Sequence, residues 1–252
     1  MHHSTSRPAL LLAHGAGGSL ERNYGPVMDR LTARYTVIGA DYPGAGGTPR
    51  ALRPLELDGL ADQLVAVADA KGVERFTVSG FSLGGPVAIR LAAWYPERVT
   101  GLVLTAPFAR ADAQVRLTAR VWRALAESGD PDTLGRFLCA HALSPAALEA
   151  MDPQELESAA KETGAGVPEG TPEHVELVER LDVTADLARI TVPTLVVSPV
   201  DDHLIPPRLH GAVAAGIPGA RLEEIPGGHL PFAEHPDRWA ALLTAPFPGG
   251  EE

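Results

Sequence analysis

Three kinds of residue that cooperate in nucleophilic catalysis occur far apart in this chain. A serine lies between glycines in Gly80-Phe81-Ser82-Leu83-Gly84, two carboxylates stand together at Asp201-Asp202, and a histidine follows two glycines in Gly227-Gly228-His229. A serine hydroxyl is a poor nucleophile at neutral pH. It needs a base to take its proton, and the base needs a carboxylate to hold its tautomer. Serine, acid and histidine can supply all three roles if the fold brings their segments together.

The stretches around them suggest how. A short β-rich run over 75–79 precedes Ser82, and 87–94 reads as a helix. Ser82 is therefore predicted at a strand-to-helix turn, where small residues at 80 and 84 let the two elements approach and push the hydroxyl out above a sheet. The carboxylates follow an apolar run at 192–198, and His229 follows a run at 221–225. Further strand-like runs occupy 9–14, 36–40 and 99–106. Most are continuously apolar, as parallel strands covered on both faces are. Between two of them, Leu57, Leu60, Ala61, Leu64, Val65 and Ala68 recur at helical spacing, ended by Lys71-Gly72. The alternation predicts an α/β fold with a doubly wound, mostly parallel sheet, whose ligands bind at the carboxyl ends of the strands.

One stretch interrupts this pattern. From 108 to 188 there is no strand signal, only helical segments opened by Ser144-Pro145, Asp152-Pro153 and Thr171-Pro172. So long an unstructured loop is implausible in a compact domain. The division expected is a core of 1–107 and 189–252, with a helical cap at 108–188 laid over the sheet's carboxyl edge. Gly164 to Gly170 reads as a flexible loop within it, the first eight residues with His2 and His3 as a disordered start, and 246–252 as a frayed tail.

Composition narrows the classes. The 252 residues suit one large domain with an insertion. A formal net charge of −11 argues against nucleic-acid binding, which needs a basic face. No apolar run approaches the roughly 20 residues that cross a bilayer, so no membrane partner and a cytoplasmic location are expected. A lone cysteine, Cys139, leaves no intrachain disulfide and no multi-cysteine metal site. No metal-ligand spacing, phosphate loop or dinucleotide fingerprint is present, so no metal or other cofactor is implied.

With the motifs in order, the chain resembles the α/β-hydrolase superfamily. His14-Gly15-Ala16-Gly17-Gly18 looks like the family's oxyanion loop, and Asp41 to Thr48 like its D-x-x-G-x-G-x-S/T turn. Gly228-His229 with Glu234 and Pro236 matches the G-H-x(4)-E-x-P ending. The resemblance implies Ser82 as nucleophile and His229 as base. It implies Asp202, four residues before Pro206, as the orienting acid, and the Ala16 and Leu83 N–H groups as the oxyanion hole. Pro199 stands where the family usually has glycine, and the strands that commonly precede the His-Gly loop have no room.

The activity this implies is cofactor-independent hydrolysis of an ester, thioester or lactone of a small, largely apolar molecule. The alternatives are C–C bond hydrolysis, lyase or cyclase chemistry with the same residues, or small-molecule binding without turnover. A monomer or homodimer is the simplest assembly. Phe81, Phe108, Trp122 and Phe137 are candidate pocket residues. Trp94 and Tyr95 are expected in the core, and Trp239 is expected to dock the last helix with Leu242 and Leu243. His14 is expected to brace the oxyanion loop. His141, His174, His210 and His235 read as exposed helix or loop residues, and His203 as ambiguous.

Overall fold

The computed structural model describes residues 7–245; the readings of His2, His3 and the tail 246–252 lie outside them. The strands are β1 (Ala9–Ala13), β2 (Thr36–Gly39), β3 (Phe76–Phe81), β4 (Val99–Thr105), β5 (Thr194–Pro199) and β6 (Arg221–Ile225). They form one sheet in the order β2-β1-β3-β4-β5-β6, with every pairing parallel. All six strand-like runs are strands, with ends shifted only slightly. The chain winds outward in one direction from β1 to β2, then in the other from β3 onward. The crevice where the direction changes lies beyond the ends of β1 and β3.

Helices α1 (Leu20–Tyr24) and α2 (Met28–Arg34) connect β1 to β2, α3 (Leu57–Ala70) precedes β3, and α4 (Gly84–Trp94) follows it. Between β4 and β5 lie α5 (Ala113–Glu127), α6 (Pro131–Ala142), α7 (Pro145–Glu149), α8 (Pro153–Ala165) and α9 (Thr171–Arg180), then a 3-10 segment Thr184–Arg189. After β5 comes α10 (Pro207–Gly216), and after β6 come α11 (Pro231–Glu234) and α12 (Pro236–Thr244).

Side-chain alternation along the strands builds two apolar layers. Leu11 and Ala13 of β1 face a cluster shared with Val78, Leu64 of α3 and Ile89 of α4. Leu10 and Leu12 face a second cluster with Tyr24, Val103, Val197 and Trp239 of α12. The six residues that set the helical spacing in α3 are its six buried ones. Trp239 is fully buried, stacks on Tyr24 at 5.3 Å and donates to Thr105 Oγ1 at 2.9 Å, which fixes α12 under the sheet.

Two readings are corrected here. Trp94, expected in the core, is 51% exposed at the end of α4, where its ring carries the Arg90 guanidinium at 4.7 Å. Tyr95 is only half-buried and donates to Asp62 at 2.6 Å. Gly164 belongs to α8 and not to a loop. A Cβ there would fall 1.8 Å from the Pro131 carbonyl oxygen, and one at Gly135 equally close to that of Ala160, so α6 and α8 cross where neither has a side chain.

Candidate active site

Ser82 follows β3 directly and sits at φ 52°, a left-handed conformation costing a non-glycine residue roughly 1–3 kcal/mol. Hydrogen bonds hold it there. Its N–H donates to the Thr105 carbonyl at 3.0 Å, and its carbonyl accepts the Gly85 N–H at 2.8 Å. The turn also needs bare backbone on both sides. A Cβ at Gly80 would lie 2.3 Å from the Gly84 oxygen, and one at Gly84 2.0 Å from the Ala13 oxygen.

The acid and the histidine hang from neighbouring strands whose loops are tied together. Val200 N–H donates to the Ile225 carbonyl and Asp201 N–H to that of Gly227, each at 3.0 Å. Pro199 sits in register opposite Ile225, so β5 continues through it. Beyond Pro199 the chain leaves the strand and turns at Val200 and Asp201, and the two carboxylates part there. Asp201 is exposed, whereas Asp202 is 2% exposed. Asp202 Oδ1 accepts the N–H groups of Leu204 at 3.0 Å and Ile205 at 2.8 Å, which leaves Oδ2 for His229 Nδ1–H at 2.6 Å. His229 Nε2 then accepts the Ser82 hydroxyl at 3.0 Å. Ser82, Asp202 and His229 are all buried. Glu234 supports the histidine loop, accepting Gly228 N–H at 2.9 Å and Ser144 N–H at 3.1 Å.

The loop after β1 is braced from three directions. His14 donates from Nδ1 to the Gly15 carbonyl at 2.8 Å and accepts the Tyr42 N–H at Nε2, 2.9 Å. Asn23 Oδ1 accepts the Gly15 N–H at 2.9 Å. From α9, His174 accepts the Gly17 N–H at Nδ1, 3.3 Å, and donates from Nε2 to the Pro43 carbonyl at 2.9 Å. Burial pushes His14 down to about 4 and lowers His174 as well, so both are neutral in these roles. Among the described residues, neither the Ala16 N–H nor the Leu83 N–H donates to another protein group. Leu83 caps α4, where first-turn N–H groups have no helical partner.

Beside His229 lies a cavity of about 150 Å³. Phe81 and Trp122 line it, together with Leu138, Leu204 and Phe232. Phe108 does not. It is fully buried in the main apolar layer, because the segment leaving β4 turns that ring inward. Phe137 does not line it either; it packs on His141 at 4.3 Å, and Leu138, one residue on, faces the cavity instead.

His174 and His210, read as exposed, are fully buried. His210 on α10 bonds Ser198 through Nδ1 at 2.9 Å, and its Nε2 lies 3.6 Å from Asp202 Oδ2, so a second imidazole stands behind the acid. Burial pushes His210 down to about 4. A signal for His174 was present: Thr171, His174, Val175 and Val178 recur at helical spacing and are all buried. Among the described residues no helix is long and apolar enough to cross a membrane.

Residues 8–236 match the family described as alpha/beta hydrolase fold. The chain is 34% identical over 240 residues to pyrrolizixenacetamide deacetylase of Xenorhabdus hominickii, covering 94% of this chain and 90% of that protein. It is 31% identical over 247 residues to pimeloyl-(acyl-carrier protein) methyl ester esterase of Neisseria meningitidis serogroup B, covering 95% and 92%. A solved structure of a hydrolase from Pseudomonas aeruginosa superposes with a TM-score of 0.83 at 27% identity, covering 97% of this chain and 92% of that one.

Proposed function

The chain belongs to the alpha/beta hydrolase family and is a hydrolase, and from that premise we propose that it cleaves esters or thioesters of small molecules through Ser82, His229 and Asp202. In this reading Ser82 Oγ attacks the acyl carbon while its proton passes to His229 Nε2. The developing oxyanion lies between the Ala16 and Leu83 N–H groups, a contribution of about 10²–10³ in rate per donor. His229 returns the proton to the leaving group, and an acyl-enzyme remains on Ser82. Water then attacks the acyl carbon as it gives a proton to His229, and His229 passes that proton to Ser82 Oγ as the Oγ–acyl bond breaks and the acid leaves. Asp202 stays ionised throughout and keeps the imidazole in the tautomer with Nδ1–H.

The observation that carries this reading is the run of hydrogen bonds from Asp202 Oδ2 through both nitrogens of His229 to Ser82 Oγ. Three segments from the ends of three strands converge to make it. The relatives' names, a deacetylase and a methyl ester esterase, fit acyl transfer to water. We take 1–107 and 189–252 as the catalytic core and 108–188 as the cap that roofs the cavity, with Trp122 and Phe81 in contact with substrate.

The test is intact-mass labelling with a fluorophosphonate on wild type and Ser82→Ala, followed by turnover of a panel of acyl esters and thioesters. One label per chain, lost in Ser82→Ala together with turnover, supports the reading. A Ser82→Ala protein with full activity would falsify it.

A further inference from the structure

Resting on this serine-hydrolase reading, we propose that the cavity beside His229 selects acyl groups bearing a second, anionic oxygen group, a carboxylate, held by the Trp122 indole N–H and the Arg22 guanidinium. The argument begins with the free polar groups of the lining. Trp122 is 8% exposed, and its Nε1 is buried with no hydrogen-bond partner among the described residues. An indole N–H can only donate, and an unmade buried donor is costly, so an oxygen lone pair belongs against it when the cavity is filled. A Cβ built at Gly17 would lie 2.7 Å from Trp122 Cζ2, which puts the nitrogen-bearing side of the indole next to the loop that carries Ala16.

Arg22 lines the same cavity, and the lining contains no Asp or Glu. Arg22 enters no ion pair among the described residues, although the chain has 32 acidic side chains for 21 Lys and Arg. Its guanidinium packs on Gly166, where a Cβ would fall 1.6 Å from Nη1. Arg22 and Val167 also line a neighbouring groove of about 570 Å³. Arg22 is itself exposed, and the cation stands at the seam between a mostly apolar cavity and an outer polar groove that Glu169 also lines. Of the other polar atoms in the lining, Asn23 Oδ1 is engaged by Gly15 and both nitrogens of His229 by Asp202 and Ser82, while the Thr163 hydroxyl meets only the Cys139 thiol at 3.7 Å. The free groups thus include a neutral donor and a cationic donor, a pair that a carboxylate satisfies and an alkyl end does not.

The experiment compares two substrates of matched chain length, methyl pentanoate and the methyl half-ester of glutaric acid, by kcat/KM. Wild type should prefer the half-ester by roughly tenfold or more, the scale of a charge-assisted hydrogen bond. Arg22→Gln and Trp122→Phe should each lower that ratio by about tenfold, and Arg22→Glu should turn it in favour of the neutral ester. A substitution that only loosens the fold lowers both rates together and leaves the ratio alone. A wild-type ratio at or below one, or a ratio that neither Arg22→Gln nor Trp122→Phe moves, overturns the proposal. Turnover of methyl pentanoate with no preference fails the proposal and keeps the hydrolase reading. Turnover of neither ester, with no label on Ser82, fails both.

Discussion

The Gly17 N–H donates to His174 Nδ1 at 3.3 Å, so a side chain from α9 stands directly behind the backbone that carries Ala16. The opposite nitrogen of the same ring donates to Pro43, and the Gly170 N–H, one residue before α9, donates to the Gly44 carbonyl at 3.0 Å. Helix α9 is thereby tied to the loops after β1 and β2 at once.

Replacing His174 with Leu strands the Gly17 N–H and the Pro43 carbonyl, at a cost of about 1–3 kcal/mol per buried group left unmade. In the proposed mechanism Ala16 serves a charge that develops only in the transition state, so kcat should fall about tenfold or more with little change in KM. His174→Gln keeps an acceptor and a donor and should recover most of kcat. Steady-state kinetics on the three proteins check this, and equal kcat in all three would remove His174 from the argument.

Asp202→Asn should lower kcat by about 10⁴, because a carboxamide can present its N–H to His229 and stabilise the wrong tautomer. Asp201→Asn, changing an exposed side chain that points away, should leave activity within about twofold. The pair of variants, assayed side by side, separates the two adjacent carboxylates.

Acid should destabilise the fold well above the range in which carboxylates titrate. His14 and His210 are fully buried and pushed down to about 4, whereas in the unfolded chain they titrate near 6.5. Between those values the unfolded state binds more protons. The stability these groups confer is therefore complete above pH 6.5 and is lost as pH falls toward 4, at about 1.4 kcal/mol per pH unit for each histidine. His174, lowered in the same direction by burial, adds to the slope. Urea midpoints at pH 7.5, 5.5 and 4.5 should fall in order; a flat series would contradict the burial of these rings in neutral form.

Gly84→Ala places a methyl group 2.0 Å from the Ala13 oxygen, a backbone atom that cannot move aside without disturbing β1. Overpacking of this kind costs about 1–3 kcal/mol, and here it also tilts α4 against the Ser82 turn. Both melting temperature and kcat should drop. Gly59→Ala on α3, where a Cβ meets nothing within 4 Å, should be neutral or stabilising.

The sheet was legible because strands covered on both faces write themselves as unbroken apolar runs. β6, with four of its five residues exposed, departs from that pattern and still falls where a strand was expected. The spacing of Ser82, the two carboxylates and His229 was equally plain. The resemblance chose between the two carboxylates, and the one it chose is the one bonded to the histidine. What remained hidden depends on which way a side chain turns after its element has packed. Phe108 and Phe137 stand beside the right segments, yet one ring turns into the core and the other onto His141. Composition made α9 look solvated, and only the stripe through Thr171, His174, Val175 and Val178 hints that its histidine faces inward. Trp94 misled in the opposite sense, since a large ring at a helix end can be covered by an arginine as well as by a core.

His229 hangs from the last strand of the chain, at the edge of the sheet, and its partner Ser82 lies 147 residues away. Contacts of such separation form late, since a long loop must close before they stabilise anything. The inner strands and α3 can assemble while β6 is still adrift, and a refolding chain should regain its helical signal before it can cleave an ester. Trp239, buried only once α12 follows β6 into place, would report that final docking by its fluorescence. The order in which the molecule becomes folded and becomes competent is thus written into where His229 is carried.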